Sequence, residues 1–369
     1  MTGKWVALMR QALELAERGR YGASPNPMVG AVLLSRSGEV VGTGAHLRCG
    51  GPHAEVFALQ EGAAQAAGGT MVVTLEPCVH QGRTPPCVDA ILAAGIARVV
   101  IASRDPNPLV NGSGVEALRT AGVEVVEGVE EEACRKLNRR FFHWIATASP
   151  YVTLKMAMTL DGKLAARGGR SRWITSEASR REGYSLREEY DALLVGVNTV
   201  LADDPRLVRH LGLNPNPHLL RAVLDTHLRT PAEAALLERD PQEVVIFCRE
   251  GVPADRRKEL EGRGAAVVEV GDDGRGQCDL RQVLRWLGAH GASSVLVEGG
   301  GEVHWSFLRE GLAQSVHAFV APLVLGGREA TSAVGGTGFS SPQEAVRLRF
   351  VEVRRLEEDL VLIAEVERV

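Results

Sequence analysis

The chain has 369 residues, 45% hydrophobic and 24% charged, the composition of an ordinary globular protein with mass enough for two hydrophobic cores. Forty-two Lys and Arg against 46 Asp and Glu give a formal charge of −4, so no strong positive field is available to hold nucleic acid through counterion release. No apolar run approaches the roughly 20 residues that span a bilayer, and the six cysteines (Cys49, Cys78, Cys87, Cys134, Cys248, Cys278) are too scattered for a disulfide scaffold.

In chain order, MTGKWVALMRQALELAERGR predicts an amphipathic helix without the apolar core or cleavage site of a signal peptide. A cytoplasmic location with no membrane partner is the expectation. From Pro27 to about Val126, strand-like MVGAVLL, TMVVTL, RVVIAS and VEVVEG alternate with helical HAEVFALQEGAAQAAG, CVDAILAAG and VEALRTAG. This pattern predicts an α/β sheet covered by helices. A helix, EEACRKLNRRFFHWIATA, leads to Ser149 and Pro150, where the domain boundary is placed, giving residues 1–148 and 149–369. Beyond it YVTLKMAMTLDGKLA, DALLVGVNTV, RAVLDT, EVVIFC, AAVVEV, SSVLVEGG, VHAFVAPLVLGG and LRFVEVRRLEEDLVLIAEV repeat the alternation in a second α/β domain.

The first chemical constellation lies at predicted helix starts. His53-Ala54-Glu55 follows Pro52, Cys78 follows Pro77 after the strand TMVVTL, and Cys87 follows Pro85 and Pro86. Taken singly, a helix-start His and two small buried thiols need no function. Together they offer three nitrogen and sulfur donors, the set of a catalytic zinc that keeps one position open for water. Base deaminases pair H-x-E with P-C-x-x-C, whereas eight residues separate Cys78 and Cys87 here. Glu55 would be the acid/base that moves protons. Asn26, in SPNPMVG, is either a turn former or a substrate contact. His46 and Cys49 either line the site or belong to their loop, and for Cys49 the loop is favoured.

PNPMVG, HAEV, TLEPCVHQGRTPPC, TLDGKLA, SRWIT, LVGVNTVLADDPRL and VEGGG together resemble the bifunctional deaminase/reductase family of riboflavin biosynthesis, over nearly the whole chain. The resemblance implies a cytidine-deaminase-like three-layer α/β/α domain followed by a dihydrofolate-reductase-like α/β domain. It implies deamination of 2,5-diamino-6-ribosylamino-4(3H)-pyrimidinone 5′-phosphate, then NADPH-dependent reduction of the ribosyl group to ribityl. One zinc per chain would sit on His53, Cys78 and Cys87, with Glu55 as proton shuttle. Two positions depart from the usual family pattern, Phe57 for a second His and Val79 for a Ser, and neither removes a ligand. Homo-oligomers, dimeric or tetrameric, are common in the family.

For the second domain the glycine run Gly299, Gly300 and Gly301 reads either as a packing turn or as a pyrophosphate cradle at a helix start. Lys155 reads either as a sheet-edge lysine or as a substrate contact, and Trp173 as core packing or cofactor contact. The resemblance implies NADPH around Ala157, Trp173, Thr199, Asp203, Thr226, Gly300, Gly301, Glu302, Val303, His304, Trp305 and Ser306. It implies substrate contacts at Lys155, Ser171, Arg187, Leu207 and Glu298, with Arg209 or His210 completing the set. Arg209 is preferred because a permanently charged fork suits phosphate. Asp203 is the candidate to assist opening of the sugar ring. In the first domain Asn26, His46 and Arg83 are the candidate substrate contacts, Arg83 being expected to clamp the ribose phosphate unless it is merely a solvated loop residue. Two rival readings are an RNA-editing deaminase, opposed by the acidic balance, and a lone reductase whose zinc is structural, with Cys49 or His80 as fourth ligand.

Overall fold

A computed structural model of the chain describes residues 2–79, 85–108 and 110–367. The chain divides into two units, Met1–Ala148 with Asn214–Asn216, and Ser149–Leu213 with Pro217–Val369.

The first unit runs α1 (Thr2–Ala16), β1 (Gly30–Leu34), β2 (Val40–Ala45), α2 (Ala54–Gly62), β3 (Thr70–Leu75), α3 (Cys87–Ala93), β4 (Arg98–Ser103), α4 (Ser113–Thr120), β5 (Glu124–Val126), α5 (Glu131–Leu137) and α6 (Arg139–Thr147). Its sheet has the order β2-β1-β3-β4-β5. β1 is antiparallel to both neighbours, and β3, β4 and β5 are parallel. Successive strand residues point to opposite faces. Leu33, Val73, Val99 and Ile101 therefore meet Ala58 of α2, Ile91 of α3 and Leu118 of α4 on one side. Val32, Leu34, Val72 and Val100 meet Met9 of α1, Cys134 of α5 and Phe142 of α6 on the other. Both faces are covered, which explains why these strands read as unbroken apolar runs. A Cβ on Gly44 would collide with the Ala54 carbonyl, so glycine there lets the start of α2 lie against β2.

The second unit runs β6 (Tyr151–Thr159), β7 (Lys163–Ala165), α7 (Glu177–Glu188), β8 (Ala192–Gly196), α8 (Val197–Asp203), β9 (Leu220–Leu224), β10 (Val244–Arg249), α9 (Ala254–Gly262), β11 (Ala266–Val270), α10 (Leu280–Ala289), β12 (Ser294–Val297), α11 (Gly301–Arg309), β13 (Ser315–Ala321), β14 (Thr331–Ser332), β15 (Leu348–Leu356) and β16 (Asp359–Val366). Its nine-stranded sheet has the order β11-β10-β9-β8-β12-β6-β13-β16-β15. It is parallel from β11 to β13, and β16 and β15 add an antiparallel hairpin. β6 lies between β12 and β13, with Lys155 opposite His317. Lys155 is therefore not a sheet-edge residue. Among the described residues no helix is long and apolar enough to cross a membrane.

Candidate functional sites

In the first unit three chain turns deliver three ligand atoms to one point. His53 ends the loop before α2 in extended conformation (φ −77°, ψ 163°), Cys78 follows β3, and Cys87 opens α3 after Pro86. Their donor atoms lie within 4.8 Å of one another. His53 Nδ1 is 3.1 Å from Cys87 Sγ and 3.6 Å from Cys78 Sγ, and the Cys87 backbone N–H donates to Cys78 Sγ at 3.4 Å. Hydrogen bonding from Cys87 and then His53 outweighs burial and holds the Cys78 thiol at about 4. The Cys78 hydrogen bond and burial push Cys87 up. The hydrogen bond to Cys78 raises His53. Two sulfurs and one imidazole, with no carboxylate in the cluster, fit zinc as a three-point holder.

Glu55 sits in the first turn of α2 and is 3% exposed, and burial pushes its carboxyl up. His46 is buried beside His53, ring edge to face at 5.4 Å. Its Nδ1 is 3.0 Å from the Pro52 carbonyl oxygen, which can only accept, so that nitrogen carries the proton. Its Nε2 then accepts from Asn26 Nδ2 at 3.2 Å. Asn26 and His46 thus act as a pair that fixes the turn carrying His53, and burial keeps His46 below its ordinary pKa.

Cys49 is half-buried and outside the ligand cluster, its backbone N–H donating to the Gly22 carbonyl. Val79 packs against the apolar core of this unit. Arg83 and the neighbouring His80 lie outside the described residues. One residue in the TLEPC run was missed. Glu76 is buried, and its carboxylate accepts from the backbone N–H groups of Asp105, Gly112, Gly114 and Val115 at 2.9 to 3.2 Å. It ties the end of β3 to the start of α4 and so anchors the turn that presents Cys78.

In the second unit a cavity of about 1490 Å³ opens over the carboxyl ends of β8, β9 and β12, the usual ligand position of an open α/β sheet. Lys155, Ala157, Ser171, Trp173, Arg187, Thr199, Asp203, Leu207, Thr226, Glu298 and all of residues 300–306 line it. At its heart Arg187 grips Glu298 through two parallel hydrogen bonds, Nε to Oε1 at 2.7 Å and Nη2 to Oε2 at 2.8 Å. Their side chains are only 13% and 11% exposed. Burial opposes the charge on Glu298, but Arg187 and then Lys155 outweigh it and hold the carboxyl at about 2. Burial lowers the Lys155 pKa, with Glu298 partly offsetting it.

Arg209 does not line the cavity. Its guanidinium donates to the backbone carbonyls of Tyr190 (2.7 Å), His218 (3.1 Å) and Arg187 (3.3 Å), which fixes the segment instead. His210 takes the cavity position, packed 4.5 Å from the Tyr184 ring with Nε2 3.4 Å from Arg187 Nη1. Trp173 is 64% exposed with the Arg180 guanidinium 4.4 Å over its ring, so it is no core residue. Asp203 is exposed at the end of α8.

The glycine run divides by role. A Cβ on Gly301 would collide with the Ser332 carbonyl and one on Gly299 would press on Val303, whereas Gly300, at the start of α11, meets nothing within 4 Å. Glu302 accepts from the Gly336 N–H at 3.0 Å, fully buried His304 donates from Nδ1 to the Ala333 carbonyl at 2.8 Å, and Trp305 meets Phe339 edge to face at 4.9 Å. These three side chains hold the segment after β14 against α11, a structural duty in addition to lining the cavity.

Residues 4–103 match the family described as the cytidine and deoxycytidylate deaminase zinc-binding region, and residues 150–362 match the RibD C-terminal domain. The riboflavin biosynthesis protein RibD of Aquifex aeolicus is 45% identical over 356 residues, 96% of each chain. The chain belongs to the RibD family. The RibD protein of Escherichia coli is 37% identical over 96% of this chain and 97% of its own. Among solved structures, RibD of Acinetobacter baumannii superposes with a TM-score of 0.89 at 36% identity, covering all of both chains. The Thermotoga maritima diaminohydroxyphosphoribosylaminopyrimidine deaminase/5-amino-6-(5-phosphoribosylamino)uracil reductase superposes with a TM-score of 0.85 at 34% identity over 99% of both. The cytidine-deaminase-like and dihydrofolate-reductase-like architecture follows from these likenesses.

Proposed function

We propose that this RibD-family chain is the bifunctional enzyme of riboflavin biosynthesis, residues 1–148 deaminating the diaminopyrimidinone ribotide and residues 149–369 reducing its ribosyl group with NADPH. The observation that carries this reading is the convergence of His53, Cys78 and Cys87 beside buried Glu55.

His53 Nδ1 and the sulfurs of Cys78 and Cys87 would hold one zinc, which when bound supplies a Lewis acid at the open coordination position. Glu55 takes a proton from the attacking water and delivers protons to the ring nitrogen and the departing amine. Its burial keeps bulk water from competing for that transfer. Asn26 and His46 hold the turn that carries His53, and Asn26 contacts the pyrimidine. A purely structural zinc normally takes four protein ligands, whereas three converge among the described residues. Cys49→Ser is therefore expected to retain about one zinc per chain by elemental analysis, and Cys87→Ser to lose nearly all of it. Metal loss from the Cys49 variant would favour the structural reading.

In the second unit Glu298 is held ionised by Arg187 to accept from sugar hydroxyls, and His210, Ser171 and Arg187 receive the phosphorylated end. NADPH supplies the hydride there, with Gly300 leaving room for its pyrophosphate. Lys155, beside the ionised Glu298, is less exposed than Asp203, which makes its ammonium the better group to give a proton to the ring oxygen as the sugar opens. The enzyme is cytoplasmic and a homo-oligomer, and it acts on a small ribotide rather than on nucleic acid.

Incubation with the ribotide tests the reading. Ammonia is expected without NADPH, and NADPH oxidation only after deamination. Oxidation that precedes ammonia release would overturn the order, and no ammonia at all would overturn the assignment.

A further inference from the structure

We propose that Glu188 is a positioning residue for the reduction, seating His210 at the phosphorylated end of the ribotide. This rests on the reading that His210 meets that end, and it concerns a carboxylate that the sequence did not single out. Residues 204–219, between α8 and β9, belong to no helix or strand, so the backbone around His210 has no ladder of its own to hold it. The segment also starts under strain. Leu207 is buried with a positive φ of 49°, a conformation that a branched side chain keeps only where the surrounding structure imposes it. The imidazole does not supply the restraint. Its Nε2 is 3.4 Å from Arg187 Nη1, a long hydrogen bond, and the charge of Arg187 disfavours an imidazolium there. Since a guanidinium can only donate, Nε2 accepts and Nδ1–H is left as the donor for a phosphate oxygen. A single directional N–H, unlike a charged fork, is useful only if it is held in place.

Two anchors flank His210 in the chain, and both tie it to the end of α7. On one side Arg209 donates to the carbonyls of Arg187 and Tyr190 as well as to that of His218. On the other, Glu188 is the last residue of α7 and fully buried. Its Oε1 accepts from the Leu211 N–H at 2.8 Å and its Oε2 from the Leu213 N–H at 3.2 Å. Arg187 and Glu188 are consecutive, about 100° apart around the helix. One helix end thus sends a guanidinium into the cavity and a carboxylate to the loop beside it. Glu188 does not line the cavity, so its influence on the ribotide passes through the segment that it holds. Bonds from N–H groups to a carboxylate are stronger than those between neutral groups, and burial keeps water from competing for them.

Steady-state kinetics of the full chain with the deaminated ribotide and NADPH test this, with NADPH affinity followed by fluorescence titration. Glu188→Gln keeps the size of the side chain but offers one acceptor oxygen where two are used. It is expected to raise KM for the ribotide about tenfold, while kcat and the NADPH dissociation constant stay within about twofold, the split of a lost ground-state contact. Glu188→Asp keeps the charge and both acceptors on a shorter stem. It should show the same split in smaller measure, roughly threefold, and carries the test if the amide variant does not fold. His210→Ala should raise KM at least as much as Glu188→Gln, and adding Glu188→Gln to it should cost less than about a further twofold, because the two residues act as one unit. A wild-type KM in the folded Glu188 variants, or a full additional loss in the double variant, would overturn the proposal. So would an equal loss of NADPH affinity, the mark of general damage to the cavity. An unchanged KM in His210→Ala would instead overturn the placement of His210 at the phosphate, on which the role of Glu188 rests.

Discussion

Glu55→Gln is expected to lower ammonia release by a factor on the order of 10² to 10⁴ while zinc content and reduction of the deaminated intermediate stay near wild type. Gln matches Glu in size and in its carbonyl acceptor, so the first turn of α2 keeps its packing, and the change is confined to the ability to take up and release a proton. Glu55 is 3% exposed, which leaves little room for solvent to substitute as base. It is also absent from the three converging ligand atoms, so the metal should remain. Lys155, Arg187, Glu298 and the cavity they line belong to the other unit, and supplying the deaminated ribotide bypasses the first reaction altogether. Three measurements separate the possibilities: ammonia release, zinc per chain, and NADPH oxidation with each substrate. Undiminished ammonia release would remove Glu55 from the mechanism. Loss of zinc would mean that it supports the metal site instead of moving protons.

The parts of the molecule legible in the sequence are those governed by short-range periodicity. Strands such as TMVVTL and RVVIAS declare themselves because both faces are buried, and the residues before helix starts declare themselves through proline and the His and Cys that follow. Position within a sheet is another matter. A lone lysine in YVTLKMAM looks the same on an edge as in the middle, and only the order β12-β6-β13 places Lys155 inside. The direction of a side chain in an irregular segment is equally silent. Arg209 and His210 are neighbours, yet the three backbone carbonyls that capture Arg209 belong to residues 187, 190 and 218. Glu76 escaped notice for the same reason, since its partners lie in the loop before α4 and in the first turn of α4, 29 to 39 residues away. The resemblance implies a cofactor contact at His304, and the sequence is silent on its further structural duty, because its full burial and its bond to Ala333 depend on a segment 29 residues on.

The Arg187–Glu298 pair, 111 residues apart, is a two-bond ion pair with both side chains largely shielded from solvent, and its removal should have a large effect on stability. Glu298→Gln is expected to destabilise the second unit by about 3–5 kcal/mol at neutral pH, because it leaves Arg187 and Lys155 as buried cations without a counter-charge. The pH dependence gives an independent check. Glu298 is held at about 2 in the folded chain, against roughly 4.3 for an unperturbed glutamate. A depressed carboxyl contributes stability that is present above the unfolded value and lost as pH falls through the folded one. A shift of that size corresponds to about 3 kcal/mol, in line with the cost expected from the buried pair. Denaturant unfolding of the full chain, following the transition that NADPH stabilises, should therefore show a gap between wild type and Glu298→Gln that is widest above about pH 5 and narrows towards about pH 2. Combining Arg187→Met with Glu298→Leu removes both members of the close pair, and this variant should recover part of the lost stability, since Lys155 alone can shed its proton. Neither variant should restore reduction, because Glu298 is also proposed to receive the sugar. A Glu298→Gln chain as stable as wild type at neutral pH would show that the pair is screened by water that its burial argues against. Recovery of stability without recovery of reduction in the double variant would separate the structural charge balance of this site from its chemistry.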